Sequence, residues 1–331
     1  MTKKINTINY LLWMIFFAFA PFVSAQESSM AGVNKEAKGY ISFLPGNMPL
    51  VISIPHGGYM LPDEIPERPC IDCAKNQDIF TLEIGIGIRD AIYRKTGFYP
   101  YVVINYLHRT RLDPNRSITE AADGNKYAED AWYQFQNYID SARAEIQKTF
   151  GKGLYIDLHG HRHAVKRTEL GYLISSEELQ LDDDMLDYET FVEYSSIRSL
   201  VNDNVNGLSY SQLIRGNTSF GSLLENLGYP TVPSHGIPYP DAGEPFFSGG
   251  YNIMRHGSSQ GGTIDGIQIE LDEDLRRELS KRDKLISDLS TVLIDFLRIH
   301  YFPNFDFTTL KVPAKEVVKF KAAPSLTKGL K

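Results

Sequence analysis

Leu154-Tyr155-Ile156 is a short apolar run that breaks into Asp157-Leu158-His159-Gly160-His161, and Leu50-Val51-Ile52-Ser53-Ile54 breaks in the same manner into Pro55-His56-Gly57-Gly58. Apolar runs of this length, cut off by Pro or Gly, read as buried strands that end where the polar residues begin. Further strand-like runs lie at 40–44, 99–106, 170–174 and 264–271. They alternate with helix-like stretches at 78–95, 128–150, 195–203, 219–227 and 272–299. Alternation of this kind predicts an α/β protein, a three-layer α/β/α domain around a largely parallel or mixed sheet. No internal repeat or low-complexity block interrupts it.

Both histidine-bearing breaks fall where such a sheet collects ligands, at the carboxyl ends of its strands. His56 and His159 are about a hundred residues apart, the long-range spacing of a catalytic zinc site and not of a zinc finger. Two imidazoles need a carboxylate or water to complete the sphere, with one position open for reaction. Asp78 is the preferred acidic ligand, because it opens the helix facing the strand end, although an Asp there also serves as a helix N-cap. Glu83, later in that helix, is the second choice, and Asp63 and Glu64 in a Pro-bounded loop are weaker candidates.

The third strand exits into His108-Arg109-Thr110-Arg111-Leu112-Asp113-Pro114-Asn115-Arg116. Arginine suits bidentate recognition of carboxylates and stabilisation of an oxyanion. Arg116 with Asn115 is taken as substrate-facing, while Arg109 and Arg111 stay open between binding and pairing with Asp113. In Ile267-Gln268-Ile269-Glu270-Leu271 the alternation places Gln268 and Glu270 on one face. A carboxylate there is either a general base or part of an exposed edge-strand face. A Gly-rich loop, Gly249-Gly250-Tyr251-Asn252-Ile253-Met254-Arg255-His256, offers Arg255 as a grip for a substrate carboxylate and His256 as a substrate contact or an ordinary loop histidine.

The rest of the chain bounds these readings. Lys3 and Lys4, an apolar stretch from 10 to 23 and Val23-Ser24-Ala25 have the order of a secretory signal peptide, so residues 1–25 are expected to be removed and the mature chain exported, to the periplasm or outside the cell. After cleavage no integral membrane span is expected. Residues 26–305 are read as one α/β domain, and 306–331 as a lysine- and proline-containing tail. A net charge of −7 without a basic stripe gives no electrostatic case for nucleic acid. Cys70 and Cys73 lack the second pair of a structural zinc site and the helix start of a redox motif, so a local disulfide is expected in an exported chain.

Taken in order, Ser53-Ile54-Pro55-His56-Gly57-Gly58, Asp78, Asp113-Pro114-Asn115-Arg116, Asp157-Leu158-His159, Gly249-Gly250-Tyr251 with Arg255-His256, and Gln268-Ile269-Glu270-Leu271 resemble the N-formylglutamate amidohydrolase family, itself similar to zinc carboxypeptidases and aspartoacylase-type deacylases. The resemblance covers roughly residues 50–300. It implies a phosphorylase/hydrolase-like fold, one zinc ion on His56, His159 and an acidic partner at Asp78 or, as second choice, Glu83, Arg116 and Asn115 at the scissile carbonyl, and Glu270 as general base and acid. It thus implies hydrolysis, by metal-activated water, of the N-acyl amide of a carboxylate-bearing amino acid, a small-molecule substrate or short peptide. A zinc carboxypeptidase or murein peptide amidase is the alternative enzyme, and a non-catalytic secreted anion-binding protein the alternative without chemistry.

Overall fold

The computed structural model describes residues 39–305. The leader expected at 1–25 and the tail at 306–331 lie outside the described residues. Seven strands form one sheet: β1 (Ile41–Leu44), β2 (Leu50–Ile54), β3 (Tyr101–Asn105), β4 (Gly153–His161), β5 (Thr168–Gly171), β6 (Thr231–Val232) and β7 (Ile264–Asp272), in the order β1-β3-β2-β4-β7-β5-β6. β3, β2, β4 and β7 run parallel, β1 pairs antiparallel to β3 and β5 antiparallel to β7, and β6 runs parallel to β5, so the sheet is mixed. The helices are α1 (Thr81–Thr96), α2 (Ile118–Ala122), α3 (Lys126–Phe150), α4 (Ser176–Leu179), α5 (Asp183–Leu186), α6 (Glu189–Tyr194), α7 (Arg198–Asn202), α8 (Tyr210–Arg215), α9 (Phe220–Glu225), α10 (Tyr251–His256), α11 (Glu273–Arg277) and α12 (Leu279–His300).

Period-2 alternation divides the strand side chains between two cores. Leu50, Ile52 and Ile54 of β2, Leu154, Ile156 and Leu158 of β4, and Ile267, Ile269 and Leu271 of β7 pack on one face with Ile84, Ile88 and Ile92 of α1 and Leu285, Leu289 and Phe296 of α12. On the other face Val51, Val103 and Tyr155 meet Ala128, Ala131, Trp132, Phe135, Ile139 and Ile146 of α3. Helical spacing of three and four explains why each helix has one such stripe. Asn125 caps α3 by accepting from the backbone N–H groups of Tyr127 and Ala128, and Gly97, at φ 76°, ends α1 in the left-handed region that glycine adopts without a Cβ clash. The result is the α/β/α class expected from the alternation.

Several boundaries differ from those expected. The apolar run at 154–158 continues as strand through His161, so His159 lies on β4 and not beyond it. The segment after Gly250 is the helix α10, not a loop. The stretch 272–299 is broken at Glu278, whose extended backbone separates α11 from α12. Arg276 accounts for the break: its buried guanidinium donates to the carbonyls of Leu271, Ile79 and His161, which requires α11 to turn inward. The expected disulfide joins Cys70 to Cys73. Among the described residues no helix is long and apolar enough to cross a membrane.

At the opposite end of β7 from its carboxyl terminus, Asp265 is fully buried and accepts from Ser258 Oγ (2.6 Å), the Leu200 N–H (3.1 Å) and Tyr301 Oη (3.0 Å). Burial pushes this carboxyl up to about 7, and the three donors only partly oppose it. The folded state therefore binds the proton more tightly than the unfolded chain, where the carboxyl has its ordinary value of 3.8. Stability from this group is complete below about pH 4 and is lost as pH rises through 7, by at most about 4 kcal/mol. Asp265→Asn is expected to flatten that part of the profile, measured as the difference between variant and wild-type urea unfolding free energies from pH 4.5 to 8.

Candidate metal centre

The carboxyl ends of β2, β3, β4 and β7 open into a cleft of about 360 Å³ lined by His56, Asp78, Arg109, Asn115, Arg116, His159, His161, His163, Phe247, Gln268 and Glu270, among others. Its polar lining follows from the strand pattern. On the α3 side of β4 and β7 the alternating residues change from Tyr155 to Asp157 and His159, and to Gln268 and Glu270, as the strands leave the core. Glu270 lies on an interior strand, between β4 and β5, so the exposed edge-strand reading does not hold.

His56, Asp78 and His159 come together here, 1%, 6% and 2% exposed. Asp78 Oδ2 lies 3.3 Å from His56 Nδ1 and 3.1 Å from His159 Nδ1, and accepts from the Gly160 N–H at 3.2 Å. The other nitrogen of each ring faces a second carboxylate. His56 Nε2 lies 2.7 Å from Asp113 Oδ1, and His159 Nε2 lies 2.8 Å from Asp157 Oδ2. Carboxylates accept hydrogen bonds, so each ring carries its proton on Nε2 and turns the Nδ1 lone pair toward Asp78. Two lone pairs and a carboxylate oxygen converging in a buried space repel one another unless a cation or extra protons lie between them.

The donor set fits a divalent metal. Tetrahedral sites with bonds of about 2.0–2.1 Å place neighbouring donors about 3.3–3.4 Å apart, close to the two spacings around Asp78. Metal-bound histidines also characteristically donate their distal N–H to a carboxylate, the arrangement made by Asp113 and Asp157. Burial raises both of these carboxyls, but the neighbouring imidazoles outweigh it and hold them below the usual range. Burial lowers His159, yet the Asp157 charge and then the Glu270 charge raise it well above its ordinary value, so metal and proton compete for this ring. Burial pushes Glu270 up to about 8, with Asp78 and Glu169 adding to the rise and His159 opposing it.

Asp78 is not the N-cap of α1. That position is Phe80, in the left-handed region at φ 67°, with no side-chain cap. The Asp78 carboxylate is thereby free to face the cleft, while its backbone carbonyl accepts from Thr81 Oγ1. Arg276 steadies the turn by holding the Ile79 carbonyl and the end of β4 together. A Cβ on Gly160 would lie 2.3 Å from the Arg276 Nε, which is why this strand position is glycine. Arg276→Met leaves three buried carbonyls without their donor and is expected to lower unfolding free energy by about 3 kcal/mol, measured by denaturant unfolding.

The remaining sequence candidates divide. Glu83 is exposed on α1 and outside the cleft, since helical spacing turns it to solvent. Arg116 reaches the cleft and is exposed, donating to the Asn115 carbonyl at 3.0 Å. Arg109 also lines it, anchored through Nε to Asp113 at 3.0 Å, whereas Arg111 does not line it. Asn115 is buried at the wall: its Oδ1 accepts from the Asn252 N–H, and its Nδ2 lies 3.2 Å from His159 Nε2. Its Oδ1 ties the start of α10 to the cleft wall.

Arg255 and His256 are not brought into the cleft. Arg255 pairs with Asp140 at 3.1 Å on the outer surface of α10 and α3, and His256 is buried between Gln136 and Asp140. Helix formation at 251–256 turns both toward α3, away from the strand ends. Gly250 serves packing as well, since a Cβ there would lie 2.5 Å from the Asn115 amide nitrogen.

Sequence reasoning missed Asp113 and Asp157 as partners of the imidazoles. Asp157 carried a signal, being two residues before His159 on the same strand face. Asp113 carried none, because 57 residues separate it from His56.

No protein-family model matches the chain, and no curated protein matches it. Among solved structures, an N-formylglutamate amidohydrolase from Ralstonia eutropha JMP134 is similar at a TM-score of 0.44 and 15% identity, over 78% of this chain and 96% of that one. A gene product from Agrobacterium tumefaciens is similar at a TM-score of 0.46 and 11% identity, over 80% of this chain and 96% of that one.

Proposed function

We propose that the protein is an exported, zinc-dependent amidohydrolase that cleaves the N-acyl amide of a carboxylate-bearing amino acid. The observation that carries this reading is the convergence of His56 Nδ1, His159 Nδ1 and Asp78 Oδ2 in one cleft with Glu270 and Arg116. A divalent cation held there would polarise a carbonyl and acidify a water. The choice of zinc follows from two imidazoles and one carboxylate, a set that several divalent ions also accept. Export follows from the leader read at residues 1–25.

The chain's own groups supply the proton chemistry and the charge. Glu270, ionised when a cation is nearby, takes a proton from the attacking water. Arg116 and Arg109 offer positive charge for the oxyanion and for the substrate carboxylate. Arg255, tied to Asp140, has no part in this. Gln268 donates to Glu270 Oε1 at 3.0 Å and fixes the direction in which the carboxylate faces.

The test is turnover by the purified mature protein of N-formyl and N-acetyl derivatives of glutamate and aspartate, with short peptides and cell-wall peptides in the same panel. Chelator-sensitive release of an amino acid from the acyl derivatives, restored by added zinc, supports the reading. Cleavage confined to peptides would move it to a carboxypeptidase or murein peptide amidase. Stoichiometric binding of an anionic ligand without turnover or metal dependence would replace it with a binding protein.

A further inference from the structure

Beside the metal centre the same cleft contains His161, His163 and Glu169, whose donor atoms lie close enough to suggest a second cation site. Hydrogen bonding rules that out. His161 Nε2 donates to the Arg167 carbonyl at 2.8 Å, and its Nδ1 accepts from the His163 N–H at 3.0 Å, so neither ring nitrogen is available as a ligand.

His163 is arranged differently. Its Nδ1 donates to Glu169 Oε1 at 2.9 Å, and its ring stacks on Phe247 with centroids 4.7 Å apart and planes at 22°. Among the described residues Nε2 has no hydrogen-bond partner, and the ring lines the cleft. Glu169 is fully buried and holds both walls of this pocket, because its Oε2 accepts from the Phe247 N–H at 2.9 Å. The Phe247 segment is further tied down by Arg167 to Glu244 at 2.5 Å and by the Leu173 N–H to the Ser248 carbonyl at 2.7 Å. In the sheet, Glu169 pairs with Glu270 across β5 and β7, and Glu270 pairs with His159 across β7 and β4. The rung places the His163–Glu169 pair on the opposite flank of Glu270 from the metal ligands.

We infer that His163 is a second catalytic residue, the general acid that protonates the leaving nitrogen, with Glu169 as its positioning residue. The inference rests on the hydrolase reading above and divides the two proton transfers between two groups. Glu270 takes one proton from water as its oxygen bonds to the acyl carbon. The C–N bond then breaks as His163 Nε2 gives one proton to the departing amine nitrogen. Glu270 returns its proton to solvent and His163 regains one, so both groups end as they began. Glu169 fixes the ring so that Nε2 faces the cleft, and its charge offsets that of the imidazolium, as in carboxylate-oriented histidines generally.

The test compares the N-acyl amino acid turned over fastest in the panel above with the p-nitrophenyl ester of the same acyl group. The ester's leaving group departs without being protonated, so only the amide needs the acid. H163A and H163Q are expected to lose about 10²-fold or more in kcat on the amide, to keep KM and ester turnover within about threefold, and to retain wild-type metal content. Added imidazole should restore part of the amide activity of H163A. E169Q should lower kcat on the amide, by up to about 10⁴-fold, and spare the ester. Equal losses on both substrates, or none on the amide, would overturn the assignment while the hydrolase reading stands. Wild-type protein inactive on both would remove the hydrolase reading, and this one with it.

Discussion

Glu270→Gln is expected to lower kcat by about 10²–10⁴-fold while the protein keeps its fold and its metal. Gln is nearly the same size and preserves the hydrogen bond from Gln268, but it cannot accept a proton from water. The Asp78 carboxylate bonds to the two imidazoles and the Gly160 N–H and not to Glu270, which is why metal content should not follow activity. Wild-type kcat/KM should rise with pH as Glu270 ionises. Burial, with the nearby Asp78 and Glu169 charges and against His159, pushes that carboxyl up to about 8, and a divalent cation nearby would stabilise its charged form, so the rising limb belongs below 8 in the loaded protein. The variant should lack that limb. Stopped or continuous assay of amino-acid release across pH 5–9, with metal quantified on the same samples, measures both. Unchanged activity in Glu270→Gln would remove the base from the scheme.

His159→Ala should abolish high-affinity metal binding, and with it turnover to the limit of detection. The loss exceeds that of one donor among three, because the vacated space leaves Asp78 and Asp157 as buried carboxylates without the group that compensates them. Asp157→Asn is expected to be milder, weakening metal affinity by about 10–100-fold, since the ring keeps a hydrogen-bond acceptor on Nε2 but loses the charge behind it. Competition against a chromophoric chelator orders the three proteins as wild type, Asp157→Asn, His159→Ala. If Asp157→Asn binds as tightly as wild type, the carboxylate behind His159 does not tune the site.

What could be read in advance follows how local each signal is. The central strands were legible because each is a short apolar run ended by Pro, Gly or a charged residue, and the alternation along 264–271 correctly set Gln268 and Glu270 on one face. His56 and His159 were legible as strand-end histidines, though the β4 ladder with β7 carries His159 two residues deeper into strand than the apolar run suggests. Of the short helices between 176 and 215 only α7, inside the helix-like stretch 195–203, was legible; the others fall below the span over which a helical period can be recognised. Arg255 was misplaced because a Gly-Gly start reads as a loop, whereas packing of Ile253 under β7 winds the segment into helix. Asp113 and Glu169 were invisible because their roles depend on contacts formed only when distant strands align: Asp113 with His56, and Glu169 beside Glu270.

The most direct test of the central claim is bound metal per chain in the mature protein, without residues 1–25, beside His56→Ala and His159→Ala, each with its fold checked by circular dichroism. About one zinc per wild-type chain, absent from both variants while the fold persists, is the expected result. A wild-type protein that takes up no metal after zinc is supplied at neutral pH would contradict it, and the two imidazoles around Asp78 would then be structural.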